Sequence, residues 1–200
     1  IPLKSKAYKI IKHKIDNNYL QSNINDENMN FVYSLSKLLK IKDKSFIDSM
    51  STFKGLSHRY EIFLKKKNVI FINDSKATSF EAAKFALANS KNIYWILGGL
   101  PKQKDKFDLF KIKKNIIKSY IIGKNINFFK KKLKNKVNFL VTKNLENSIV
   151  RVIKDIKLFK KPNNIVLLSP GAASFDQFKN FEIRGNIFKK LCRLYAKKYI

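Results

Sequence analysis

Asp74, Ser75, Lys76 and Thr78 fall within one short polar turn, Asn73-Asp74-Ser75-Lys76-Ala77-Thr78. These are residue types that bind and orient small anions: the lysine brings a full charge, the hydroxyls donate or accept, and the carboxylate holds a polar partner. Ahead of the turn, Val69 to Ile72 is apolar and β-branched and reads as a buried strand. Beyond it, Phe80, Ala83, Phe85 and Leu87 supply the apolar side of a helix. Thr78 followed three residues later by Glu81 has capping-box spacing, which predicts a helix start at Thr78. A strand, a polar turn and a helix N-terminus together favour an anion, because unpaired backbone N–H groups point at it. On spacing alone, Thr78 here and Ser174 below read first as ordinary helix caps, and only second as ligand-binding hydroxyls.

Two further turns follow apolar strands. Gly98-Gly99-Leu100-Pro101-Lys102 comes after residues 92–97, and Ser169-Pro170-Gly171-Ala172-Ala173-Ser174 after residues 165–168. Ser174 and Gln177 repeat the capping-box spacing, which predicts a second helix start there. The glycine pair lacks the full dinucleotide fingerprint, and Lys102 lies among other lysines. Two helix starts with Lys76 and Lys102 could hold a small anion bearing two carboxylates or a phosphate.

The elements that must position these turns alternate. Tyr60, Ile62 and Leu64 predict a strand that hairpins into residues 69–72, and further strands are expected at 92–97, 119–122, 137–141 and 165–168. Helices are predicted at 79–89, 108–115, 126–133, 144–159 and 183–197. This is the pattern of an α/β domain: a Rossmann-like, mostly parallel sheet with helices on both faces. Ligands of such sheets sit beyond the carboxyl ends of the strands, where all three turns fall. Upstream, Phe31, Leu35, Leu38 and Leu39 predict an amphipathic helix at 30–40 whose apolar face has little to pack on, and Ser45 with Asp48 starts a shorter one. Residues 1–21 show no complete element. A boundary at Gly55 divides a short, mostly helical segment, 1–54, from the α/β domain, 55–200.

The composition narrows the function classes. The chain has 200 residues, a formal charge of +29 and a single cysteine, Cys192, which excludes an intrachain disulfide and fits a reducing, cytoplasmic setting. No membrane span or signal-peptide pattern is present. The cations are nearly all lysines; the arginines are Arg59, Arg151, Arg184 and Arg193. Abundant Lys, Asn and Ile are what an AT-rich genome produces. The lysines read as dispersed over polar helix faces with no clustered basic stripe, which argues against a specific nucleic-acid reader.

The segments FKGLSHRYE, FINDSKATSFEAA, IYWILGGLPK and LLSPGAASFDQFKNFEIRG, in that order, resemble the C-terminal half of the Mur ligases. NDSKAT is similar to the branch of that family that adds D-glutamate. Leu20 to Asn28, LQSNINDEN, resembles the end of the family's central ATPase domain, usually L-x-G-x-H-N-x-x-N. Here Ser22 stands for the glycine and Ile24 for the histidine, with Asn25 and Asn28 matching.

The resemblance implies that ATP, with Mg²⁺, activates the carboxylate of UDP-N-acetylmuramoyl-L-alanine as an acyl phosphate, which the amine of D-glutamate attacks. It implies nucleotide contacts from Asn28, Arg59 and Asp74, and charge stabilisation by Lys76. D-Glutamate would be held by Thr78, Lys102, Ser174, Phe181 and the backbone at Phe175. No G-x-x-x-x-G-K-[ST] phosphate loop occurs, so the triphosphate cradle and the metal ligands are expected outside this chain. The resemblance also implies a monomer in full-length form. Another amino-acid-adding ligase of the superfamily and a basic nucleic-acid-binding module are the alternatives. NDSKAT argues against the first, and the scarcity of arginine against the second.

Overall fold

The computed structural model of the chain describes residues 6–17, 20–21 and 26–200 and divides into two units, Ile1–Gly55 and Leu56–Ile200. Ser22, Ile24 and Asn25 lie outside the described residues.

The first unit holds α1 (Lys6–Lys12), α2 (Asp26–Leu38) and α3 (Asp43–Ser51). α1 occupies a stretch for which the sequence predicts no element. Tyr8, Ile11, Ile15, Leu20, Met29, Tyr33 and Phe46 form a small core of their own. The apolar stripe of α2 is left unpacked, in line with its reading as a face with little to pack on: Phe31 is 62% exposed and Leu38 68%, and Leu35 and Leu39 are also exposed. The helix turns Met29, Tyr33 and Ser36 inward instead. Tyr33 fixes that choice by packing edge-on against Phe46 at 5.1 Å and donating its hydroxyl to Asp43 at 3.1 Å.

The second unit is built from β1 (Glu61–Lys66), β2 (Val69–Asn73), α4 (Phe80–Ala88), β3 (Ile93–Gly98), β4 (Ile116–Ile122), α5 (Ile126–Leu133), β5 (Phe139–Lys143), α6 (Leu145–Phe159), β6 (Asn164–Leu168) and α7 (Phe181–Tyr199). The six strands form one sheet in the order β1-β2-β6-β3-β4-β5, with only β1 antiparallel. This is the expected mostly parallel α/β sheet. Side chains alternate across it. Phe71, Tyr94, Ile96, Tyr120 and Val166 pack under α6 and α7, while Trp95, Leu97, Ile121 and Leu167 pack under α4 and α5.

Two elements of this unit, and the placement of its lysines, differ from the sequence pattern. The helix predicted at 108–115 is a single 3₁₀ turn, Lys113–Asn115, because Phe107, Leu109 and Ile112 are drawn into the core beneath α4 and α5. In β1 a bulge between Ile62 and Leu64 breaks the alternation, so Phe63 and Leu64 both pack on the core and Ile62 is exposed. The lysines are not dispersed over helix faces alone. Each turn that leads into a parallel strand carries exposed lysine, and residues 65–68, 89–92, 110–115, 133–138 and 157–163 contain no Asp or Glu.

Candidate functional site

β2, β6 and β3 are neighbours in the sheet, so the turns that follow them meet at one edge. The chain leaves β2 towards β3 on one side and leaves β6 towards α7 on the other, which makes this the switch point where parallel sheets open a crevice. Backbone bonds knit the three turns. Asp74 N–H donates to Leu168 O at 2.8 Å, Gly171 N–H to Ala77 O at 3.0 Å, and Gly98 N–H to Pro170 O at 3.0 Å. Leu100 and Ala173 exchange bonds at 2.8 and 3.0 Å. Gly98 and Gly99 permit this approach: both have φ of +136°, and a Cβ on Gly99 would stand 2.2 Å from Ala173 O.

Asp74 is 5% exposed and committed within the crevice wall. Its carboxylate accepts from Ser169 Oγ at 2.6 Å and from Tyr60 N–H at 3.1 Å. Burial pushes its pKa up to about 6, against the opposing pull of those two donors and the Arg59 charge. Arg59 and Lys76 are exposed. The Lys76 ammonium lies 4.6 Å from the centroid of the Phe181 ring, so two residues predicted for the site from distant segments meet directly. The same ring meets His58 edge-on at 6.0 Å.

Neither predicted capping box forms. α4 is capped by Ser79, whose side chain accepts from Ala82 N–H at 3.3 Å, so Thr78 is left as a half-buried residue of the turn. Ser174 starts no helix: residues 174–180 are turns, and α7 begins after Asn180, which accepts from Ile183 N–H at 2.8 Å. In the first place Ser79, a stronger cap than Thr, wins one residue on; in the second the helix starts six residues on, at Asn180. The N-terminus of α4 is also already occupied. Asp105 accepts from Phe80 N–H at 2.6 Å, and its own N–H donates to Lys102 O at 3.0 Å. Phe107 stacks on the Phe80 ring at 4.2 Å. The Lys102 turn is therefore docked against the start of α4, beside Thr78. Ser174 is buried next to Ala173, and Phe175 is exposed. Asn28 lies exposed on α2, in the first unit.

The residue that sequence reasoning missed is Arg184. It is buried in α7 and donates to Ser75 Oγ at 2.9 Å, Ser75 O at 2.7 Å and Ala172 O at 3.1 Å. Ser75 Oγ in turn donates to Phe181 O at 2.8 Å. One guanidinium thus ties the Asn73–Thr78 turn, the Ser169–Ser174 turn and the start of α7 together. Burial pulls its pKa down to about 10, still fully charged at neutral pH. In the sequence it stands in a lysine-rich helix, and only the arginine scarcity marks it out. Behind it, Gly185 gives room to a second network: a Cβ there would stand 2.2 Å from His58 Nδ1. His58, Asn73, Glu61 and Lys189 are joined by bonds of 2.9 to 3.0 Å that brace the Arg59 turn.

Among the described residues no three His, Cys, Asp or Glu side chains gather to hold a metal ion. No helix of the described residues is long and apolar enough to cross a membrane.

No family model matches the chain. It is 40% identical over 173 residues to a UDP-N-acetylmuramoylalanine–D-glutamate ligase of Wolbachia sp. subsp. Brugia malayi, which covers 86% of this chain and 34% of the relative. The ligase of the same name from Rickettsia felis is 35% identical over 182 residues, 91% of this chain and 40% of that relative. The chain belongs to the Mur ligase family. Solved structures agree on the fold: MurF from Acinetobacter baumannii superposes with a TM-score of 0.61 at 13% identity, covering 84% of this chain and 38% of its own. MurC from Thermotoga maritima gives 0.57 at 12% identity, covering 86% and 37%. The chain spans about a third to two-fifths of the length of the curated relatives it matches.

Proposed function

We propose that this Mur ligase chain supplies the amino-acid side of an ATP-dependent, ADP-forming amide ligase that joins D-glutamate to UDP-N-acetylmuramoyl-L-alanine. The observation that carries the reading is the knitting of the Asn73–Thr78, Gly98–Lys102 and Ser169–Ser174 turns into one crevice flanked by Lys76 and Lys102. D-Glutamate carries two carboxylates, and the crevice offers two cations on separate, anchored turns. Thr78 and Lys102 face one carboxylate, and Ser174 with the Phe175 N–H faces the other. Lys76, steadied over Phe181, stabilises negative charge at the acceptor carboxylate as the amine approaches.

ATP, when bound, supplies the phosphoryl group that activates that carboxylate. The exposed Arg59 fits a nucleotide phosphate or ribose oxygen, and Asp74 acts from within the wall by fixing the backbone at Tyr60, the residue after Arg59. Asn28, on α2, is proposed for a separate contact with the nucleotide base. No metal step is assigned to the described residues.

The reading is tested in a full-length ligase carrying this chain, by ADP release from ATP and UDP-N-acetylmuramoyl-L-alanine. D-Glutamate should support turnover while L-glutamate, D-aspartate and meso-diaminopimelate do not. Turnover with another amino acid would move the chain to a different branch of the family. The 200-residue chain alone should show no ATP turnover above a Lys76→Ala control.

A further inference from the structure

The end of the sheet opposite the crevice has a character of its own. Lys67 stands ahead of β2, Lys91 ahead of β3, Lys114 ahead of β4, Lys136 ahead of β5 and Lys161 ahead of β6, and all are exposed. Because those five strands are parallel, their starts share one edge, and the topology collects the lysines there. None of the five is in an ion pair among the described residues. The crevice edge is mixed in sign by contrast, with Asp74, Asp105, Glu146, Asp176 and Glu182 among its lysines. An AT-rich genome accounts for many lysines but not for five strand-leading turns without a carboxylate; the exposed Asp108, which accepts from Phe110 N–H at 3.0 Å, and the partly buried Lys118–Asp155 pair lie just outside those turns. An open cleft at this end is lined by Lys113, Lys134 and Lys136.

Large apolar side chains stand among these cations. Phe110, in the loop that feeds β4, is 77% exposed with the Lys113 ammonium 5.9 Å from its ring, and Leu158, in the last turn of α6, is 71% exposed beside Lys157. We propose that this edge docks on an anionic lipid surface, with the lysine-bearing turns against the headgroups and Phe110 and Leu158 inserted at their level. Lysine clusters draw a protein to anionic lipid, and the attraction fades with salt. Apolar side chains add insertion to that attraction. Nucleic acid fits less well: none of the five turns holds an arginine, and a leucine offers nothing to a stacked base. The docking points the crevice away from the surface and leaves it open to solvent.

The test is co-sedimentation of the 200-residue chain with vesicles of phosphatidylcholine alone and of phosphatidylcholine mixed with phosphatidylglycerol. The mixed vesicles should bind at least tenfold more tightly, and binding should collapse as ionic strength rises from about 0.05 to about 0.5 M. The combined variant Lys91→Glu, Lys114→Glu, Lys136→Glu, Lys161→Glu should lose at least tenfold. The same four changed to Gln, a milder replacement, should lose severalfold, with circular dichroism and melting confirming a folded chain in both. Phe110→Ser with Leu158→Ser should weaken vesicle binding severalfold and leave binding to a random-sequence DNA duplex unchanged. Equal binding to neutral vesicles, wild-type binding by the lysine variants, or no effect of the apolar pair on vesicles would overturn the proposal. A duplex bound more tightly than the mixed vesicles would assign the edge to nucleic acid instead.

Discussion

Asp74 couples the crevice to pH. Its folded pKa of about 6 lies above the ordinary 3.8, so the folded protein holds a proton that the unfolded chain releases. The sign follows: its contribution to stability is fully present below pH 3.8 and is lost as pH rises through about 6. Asp74→Asn removes that dependence, and relative to the wild type the variant should gain roughly 3 kcal/mol between about pH 4 and pH 7 in urea unfolding. Arg184 is the residue whose loss should cost most. Arg184→Met strands Ser75 O and Ala172 O without their donor and should destabilise by roughly 3–5 kcal/mol. Arg184→Lys should recover only part, since an ammonium lacks the planar fork that reaches both turns. Thr78 and Ser174 are not helix caps, so their replacement is a clean probe of the ligand. In a full-length ligase, Thr78→Ala or Ser174→Ala should raise KM for D-glutamate by roughly tenfold, with KM for ATP changing much less. Arg59→Ala should show the reverse. A drop in melting temperature with an unchanged D-glutamate KM would remove Thr78 and Ser174 from the site.

The Lys102 turn and α4 behave as a docked pair of elements. Asp105 and Phe107 both seat on Phe80, one on its N–H and one on its ring. Asp105→Ala should speed exchange of the Phe80 amide roughly tenfold and loosen Lys102 with it, whereas exchange in β3 should stay unchanged. That docking explains where sequence reading succeeds and stops. Strands such as Val69–Asn73 and Ile93–Gly98 are legible because a buried parallel strand demands a continuous apolar run. The three turns are legible as chemistry because Asp, Ser, Lys, Thr and Gly cluster at strand ends. The partner of the α4 N-terminus is not legible, because Asp105 arrives from 25 residues away to accept from the Phe80 N–H. Local spacing misplaced both caps when Ser79 and Asn180 were the residues whose backbones turned. In α2 it is likewise a tertiary contact that sets the buried face: Tyr33 finds Phe46, and the apolar stripe, read as having little to pack on, stays outside. In each case a contact distant in sequence outweighs a local pattern.

At the scale of the molecule the two units are unequal. The first rests on a core of Tyr8, Ile11, Ile15, Leu20, Met29, Tyr33 and Phe46, while the second has a packed layer on each face of its sheet. Amides of α2 should exchange well before those of β2, and equal protection in the two would show the first unit to be as firmly held as the second. The position of β6 bears on how the second unit is made. The strand nearest the C-terminal end sits between β2 and β3, which precede it by some seventy to ninety residues. While the chain is being synthesised, β2 and β3 have no neighbour on their facing sides, and both present unpaired amides and apolar runs until Asn164–Leu168 emerges. The sheet is therefore completed from its middle and late, by pairings of high sequence separation, which are the slow kind. The nascent chain carries its binding turns long before there is a crevice for them to form.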